Sequence, residues 1–115
     1  MNNLIKNNNI YIYIYDTNEH IVGKWVDGSP IYEKTYSKSA SVGTTSFNLS
    51  DVDMPISVKG ILITDKNVYF LNYTNNTAAS YVYAYYQISN KLLNVTSNST
   101  GTLYLTVQYL KWCLL

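Results

Sequence analysis

One histidine, one cysteine and seven carboxylates are the residues from which acid–base, nucleophilic or metal chemistry could be assembled in this chain. Glycoside hydrolysis needs two carboxyl groups held a fixed distance apart. The acids available are Asp16, Glu19, Asp27, Glu33, Asp51, Asp53 and Asp65. Asp27, Asp51 and Asp65 lie in turn-like stretches, where Asp bonds its own backbone. Only Glu33 falls inside a strand pattern. It is the candidate acid or base of a small glycan hydrolase, and the simpler expectation is a solvated sheet residue paired with Lys24 or Lys34. His20 would have to serve any Ser–His–Asp site, yet no nucleophile-elbow pattern accompanies it. One His and one Cys fall short of a zinc site. Asp51-Val52-Asp53 could place two carboxylates together as in some Ca²⁺ sites, but calcium gathers six to eight oxygens. The five glycines stand isolated at 23, 28, 43, 60 and 101, so no phosphate-cradling loop is present. These spacings predict no catalytic residue, no metal, no cofactor and no enzyme.

A different chemistry is suggested by the 13 tyrosines. Tyr11, Tyr13 and Tyr15 alternate with Ile, and Tyr81, Tyr83 and Tyr85 fall at the same spacing, so each set shares one face of a strand. With Ile or Val turned to a core, the rings cover the opposite face. Tyr is amphipathic and loses little rotamer entropy on contact, which suits a subunit interface or a sugar-stacking platform. The plain alternative is strand propensity combined with AT-rich codon bias, which favours Tyr and Asn together.

Composition narrows the partners. The chain has lysines but no arginine, and a net charge of +1. Without the bidentate fork that reads phosphate and guanine, and without a basic run, no nucleic-acid partner is expected. No stretch reaches the roughly 20 apolar residues of a membrane helix. Residues 1–9, MNNLIKNNN, lack the apolar stretch of a secretory signal. The single Cys113 excludes an intrachain disulfide. The Asn-x-Ser/Thr sequons at Asn48, Asn72, Asn75, Asn94 and Asn98 read as polar loop and strand-edge positions.

The elements that must position these residues are strands. Residues 10–15, 21–26, 31–36, 46–49, 56–63, 68–73, 80–88, 92–96 and 102–110 each alternate or are rich in β-formers. Asp27-Gly28 followed by Pro30 predicts a hairpin over about residues 20–37, with Pro30 opening the return strand. Thr64-Asp65-Lys66-Asn67 predicts a second hairpin, Ser89-Asn90-Lys91 a third, and residues 74–77 a polar connection. Met54-Pro55 reads as a break. Eight or nine short strands with short connections predict an all-β, antiparallel β-sandwich in a single domain, 1–115, with residues 1–8 as a flexible tail. The Ile, Val and Leu faces, joined by Trp25 and Phe70, form the expected core.

The string Glu19 to Thr35 is more specific than a hairpin requires. Glu19, Gly23, Trp25, Asp27, Gly28, Pro30, Tyr32, Lys34 and Thr35 resemble a signature of bacteriophage or prophage tail and fibre-type structural proteins. Residues 101–109, Gly-Thr-Leu-Tyr-Leu-Thr-Val-Gln-Tyr, resemble the closing strand of the same modules. The resemblance implies a non-catalytic appendage domain of a virion, homo-oligomeric with a trimer favoured. Its implied partners are other virion proteins or a host-surface glycan. It implies a location in the phage particle, or in the cytoplasm of a low-GC bacterium carrying a prophage. A carbohydrate-binding module using the tyrosine faces is the competing expectation.

Overall fold

The computed structural model describes residues 17–75 and 80–111. The described residues form nine strands and no helix: β1 His20–Lys24, β2 Pro30–Ala40, β3 Gly43–Asn48, β4 Met54–Ile63, β5 Val68–Phe70, β6 Tyr73–Asn75, β7 Ser80–Gln87, β8 Leu92–Ser97 and β9 Gly101–Leu110. They make two antiparallel sheets, ordered β1-β2-β9-β4-β5 (sheet A) and β3-β8-β7-β6 (sheet B). The architecture is the expected β-sandwich. The segment 10–15, the tail 1–8 and Cys113 lie outside the described residues.

Period-two alternation explains the layers. On β9, Leu103, Leu105, Val107 and Tyr109 are fully buried, while Tyr104 faces outward. Opposite them, Phe47 of β3, Val82 of β7 and Leu93 and Val95 of β8 complete one core cluster from sheet B. Each such side chain contributes about 1.5–3 kcal/mol relative to leaving it in water. Leu49 and Val52, in the connection from β3 to β4, are also fully buried. They seal the sandwich where the chain passes between sheets.

Local chemistry sets the turns. Trp25 and Ser29 close the first hairpin through Trp25 N–H donating to Ser29 O at 2.8 Å, with Gly28 at φ +90°. In the 64–67 turn, the Thr64 hydroxyl oxygen accepts from the N–H groups of Lys66 and Asn67. Pro30 opens β2 as expected.

Several expectations fail for identifiable reasons. Trp25 is not core: β1 ends at Lys24, which leaves the indole in the hairpin turn and 38% exposed. Phe70 is 69% exposed because it pairs with Ile61 on the outward side of sheet A. Ile21, Ile63 and Ile88 are likewise exposed, so Leu and Val dominate the core. The run 68–73 is two strands in different sheets, since Asn72 takes φ 65° and turns the chain across the sandwich. The polar connection expected at 74–77 begins instead as β6, which extends to Asn75. Met54-Pro55 opens β4 and does not break it; the missing proline N–H coincides with a register shift between Pro55 and Ser57.

Gly101 marks a close approach of two backbones. A Cβ there would lie 2.1 Å from the Ile63 carbonyl oxygen, which belongs to the backbone and cannot swing aside. Gly101→Ala is therefore expected to destabilise the fold by about 3 kcal/mol, at the upper end of overpacking costs. Urea denaturation followed by tryptophan fluorescence checks this, and an unchanged midpoint would contradict it.

Candidate functional site

Glu33 is wholly buried, contrary to the expected solvated residue, and neither Lys24 nor Lys34 is its lateral neighbour. The register sets it between His20 of β1 and Gln108 of β9. His20 Nε2 lies 3.4 Å from Glu33 Oε1, and Gln108 Nε2 donates to Oε2 at 2.9 Å. Lys24 stands opposite Pro30, and the Lys34 ammonium lies over the Tyr36 ring at 5.2 Å. A buried carboxylate held by an imidazole and an amide is suited to fixing strand positions, because its charge is tolerated only with partners.

Of the other acids, Asp16 lies outside the described residues. Asp27 Oδ1 accepts from Ser29 N–H at 2.9 Å, and that backbone donor holds its carboxyl below the usual Asp range. Asp53 lies 3.4 Å from Lys91 Nζ. Val52 between Asp51 and Asp53 is buried, so the two exposed acids flank a core anchor. Among the described residues, no three His, Cys, Asp or Glu side chains converge to hold a metal ion. Asn94, expected at a strand edge, is buried in β8 inside sheet B. It accepts from Ser46 Oγ at 2.5 Å and donates to Gln87 Oε1 at 3.0 Å.

Glu19 has a part that the sequence did not disclose. Tyr109 OH donates to its Oε1 at 2.5 Å, and Lys111 Nζ donates to Oε2 at 2.7 Å. Tyr109 stacks on Tyr32 with ring centroids 6.0 Å apart, and Lys111 sits 5.0 Å over the Tyr32 ring. Burial works to raise the Glu19 pKa, but the two hydrogen bonds and the Lys111 and Lys34 charges outweigh it and leave it lowered. Burial, and then the Glu19 carboxylate, push the Tyr109 hydroxyl well above its ordinary value. The Glu19 hydrogen bond also raises Lys111 against a smaller opposing effect of burial. Residues 19–35 and 101–109 are thus neighbours, because β1, β2 and β9 are adjacent in sheet A.

Two aromatic surfaces remain. Tyr81, Tyr83 and Tyr85 share the outer face of β7, with Val82 buried behind them; Tyr11, Tyr13 and Tyr15 lie outside the described residues. Tyr83 and Tyr85 are about half exposed, and the Tyr81 and Tyr83 rings lie 5.6 Å apart. Beside the rings run Thr96 and Asn94 of β8, then Thr44 and Ser46 of β3. Thr44 and Thr96 share a hydrogen bond at 3.0 Å. These polar groups are bonded to one another.

The second surface lies on the outer face of sheet A, and sequence patterning gave no sign of it. It is a groove of about 540 Å³ lined by Thr35, Lys59, Gly60, Ile61, Phe70, Tyr104 and Thr106. No run marks it, since its residues come from four strands that only the sheet order places side by side.

No family model matches the chain, and no curated protein or solved structure matches it either. Among the described residues no helix is long and apolar enough to cross a membrane.

The Glu19 latch makes a prediction in pH. A lowered folded pKa contributes stability that is full above the unfolded value of 4.5 and is lost as pH falls through the folded value. Glu19→Gln is therefore expected to cost about 1 kcal/mol at neutral pH. The gap to the parent chain closes on acidification below pH 4.5. Urea midpoints measured at several pH values decide it, and a gap that widens in acid would contradict the latch.

Proposed function

We propose that the chain is a non-catalytic structural module of the appendage type, akin to the tail and fibre modules of bacteriophage that its sequence resembles. In this view it acts in self-association and in attachment to a surface. The observation that carries the proposal is the row Tyr81, Tyr83 and Tyr85, the first half-buried and the other two exposed, on a strand whose other face is fixed in the core. Large rings held in water by a rigid strand are what a partner surface requires, since they bring area at little conformational cost.

The internally bonded Thr44–Thr96 and Ser46–Asn94–Gln87 groups favour a protein partner on this face. A like face from a second copy would meet hydroxyls and amides already satisfied, and desolvation would cost little. A trimer is the form that the resemblance implies.

Light scattering and sedimentation velocity test the proposal. The parent chain is expected to sediment as an oligomer, and Tyr83→Ser with Tyr85→Ser to release monomers that keep the parent's circular dichroism. A parent chain that stays monomeric at high concentration would overturn the self-association reading.

A further inference from the structure

The groove on sheet A has an order that follows from register. Phe70 of β5, Ile61 of β4 and Tyr104 of β9 lie side by side in one cross-strand row. Lys59 of β4, Thr106 of β9 and Thr35 of β2 form the next row on the same face, two residues along. Rows two residues apart are separated by about 7 Å, close to the span of one pyranose ring with its substituents. An apolar row thus borders a row of hydroxyls and one ammonium, in a concave site of about 540 Å³.

Each row has a distinct capacity. Phe70 is 69% exposed and Tyr104 42%, an unusual outlay of aromatic surface on the outward side of a sheet. Thr106, almost buried, shares a hydrogen bond with the Thr35 hydroxyl at 2.9 Å and so fixes its direction. Lys59 is exposed and is the charged residue in the lining, while the Glu33 carboxylate, in the next row on the same face, is buried and already takes a hydrogen bond from Gln108.

We propose that this groove binds an acidic sugar, a uronic-acid unit of a glycan. The C–H face of the ring stacks on Phe70 and Tyr104, Thr35 meets a ring hydroxyl, and Lys59 takes the carboxylate. A fatty chain would leave the Thr and Lys row unmatched. The proposal rests on the attachment half of the proposed function and not on self-association, which uses the opposite sheet.

The test is titration of the full chain with a galacturonic-acid hexasaccharide and with its fully methyl-esterified form, at low salt, by calorimetry and by chemical-shift perturbation. The acid is expected to bind at least about tenfold more tightly than the ester, and added salt to narrow the difference. Phe70→Ala should weaken binding about three- to tenfold. Lys59→Gln should abolish the preference for acid over ester while retaining weak binding of both. Both substituted residues are exposed, so unchanged thermal midpoints are expected and confirm that folding is intact.

Equal affinity for acid and ester would overturn the assignment of an acidic sugar. Tight binding of the acid that neither substitution changes would overturn this groove and leave attachment standing at another site. No binding of either glycan would overturn the groove as an acidic-sugar site, while attachment through another surface and the tyrosine-face sedimentation result would stand. Loss of oligomers on Phe70→Ala would make the groove a subunit contact and overturn the proposal.

Discussion

Strand β9 is the constraint on which the sandwich depends. It lies in the middle of sheet A, hydrogen-bonded by β2 on one side and β4 on the other. Its inward residues Leu103, Leu105, Val107 and Tyr109 are all buried, so the core is built around the last strand of the described chain. Its neighbour β2 comes near the beginning, with Ala40 opposite Gly101 and Tyr32 opposite Tyr109. Sheet A therefore closes only when distant parts of the chain meet. The loop-closure entropy must be met before the contacts that repay it are made, which places this fold among the slower-forming topologies.

The features placed on β9 follow from that position. Because Tyr109 faces inward beside Tyr32, its hydroxyl can reach Glu19 at the edge, and Lys111 closes over the pair. The same alternation turns Tyr104 and Thr106 outward, against Ile61 and Lys59 of β4, and so makes the floor of the groove. Core, latch and groove are consequences of one strand with a period of two. A one-residue slip in its register would exchange every one of these side chains between the faces.

What could be read in advance was what depends on neighbouring residues. The alternation at 101–110, the Asp27-Gly28 and Thr64–Asn67 turns and the outward set Tyr81, Tyr83 and Tyr85 each follow from a local pattern, and each was legible. The split at Asn72 was not, because Val-Tyr-Phe-Leu-Asn-Tyr reads as one β-rich run until a left-handed φ divides it. Hydrophobicity placed Trp25 and Phe70 inside, but a turn and an outward register hold them in water. Glu33 is the opposite case: its buried position depends on His20 and Gln108, the second of them 75 residues away in sequence. Glu19 likewise meets partners 90 and 92 residues distant. Such pairs become visible only once strand order is fixed, and hairpin signals do not fix it.

The distribution of charge and aromatic surface bears on what the module does. Glu33 is held by His20 and Gln108, Glu19 by Tyr109 and Lys111, Asp27 by Ser29 and Asp53 by Lys91. The aromatic rings show the reverse arrangement. Phe70, Tyr83, Tyr85 and Tyr104 stand on the outer faces with a large fraction of their surface in water. The carboxylates so held thus join strands or cap a turn, while the large exposed rings stand on the two outer faces of the sandwich.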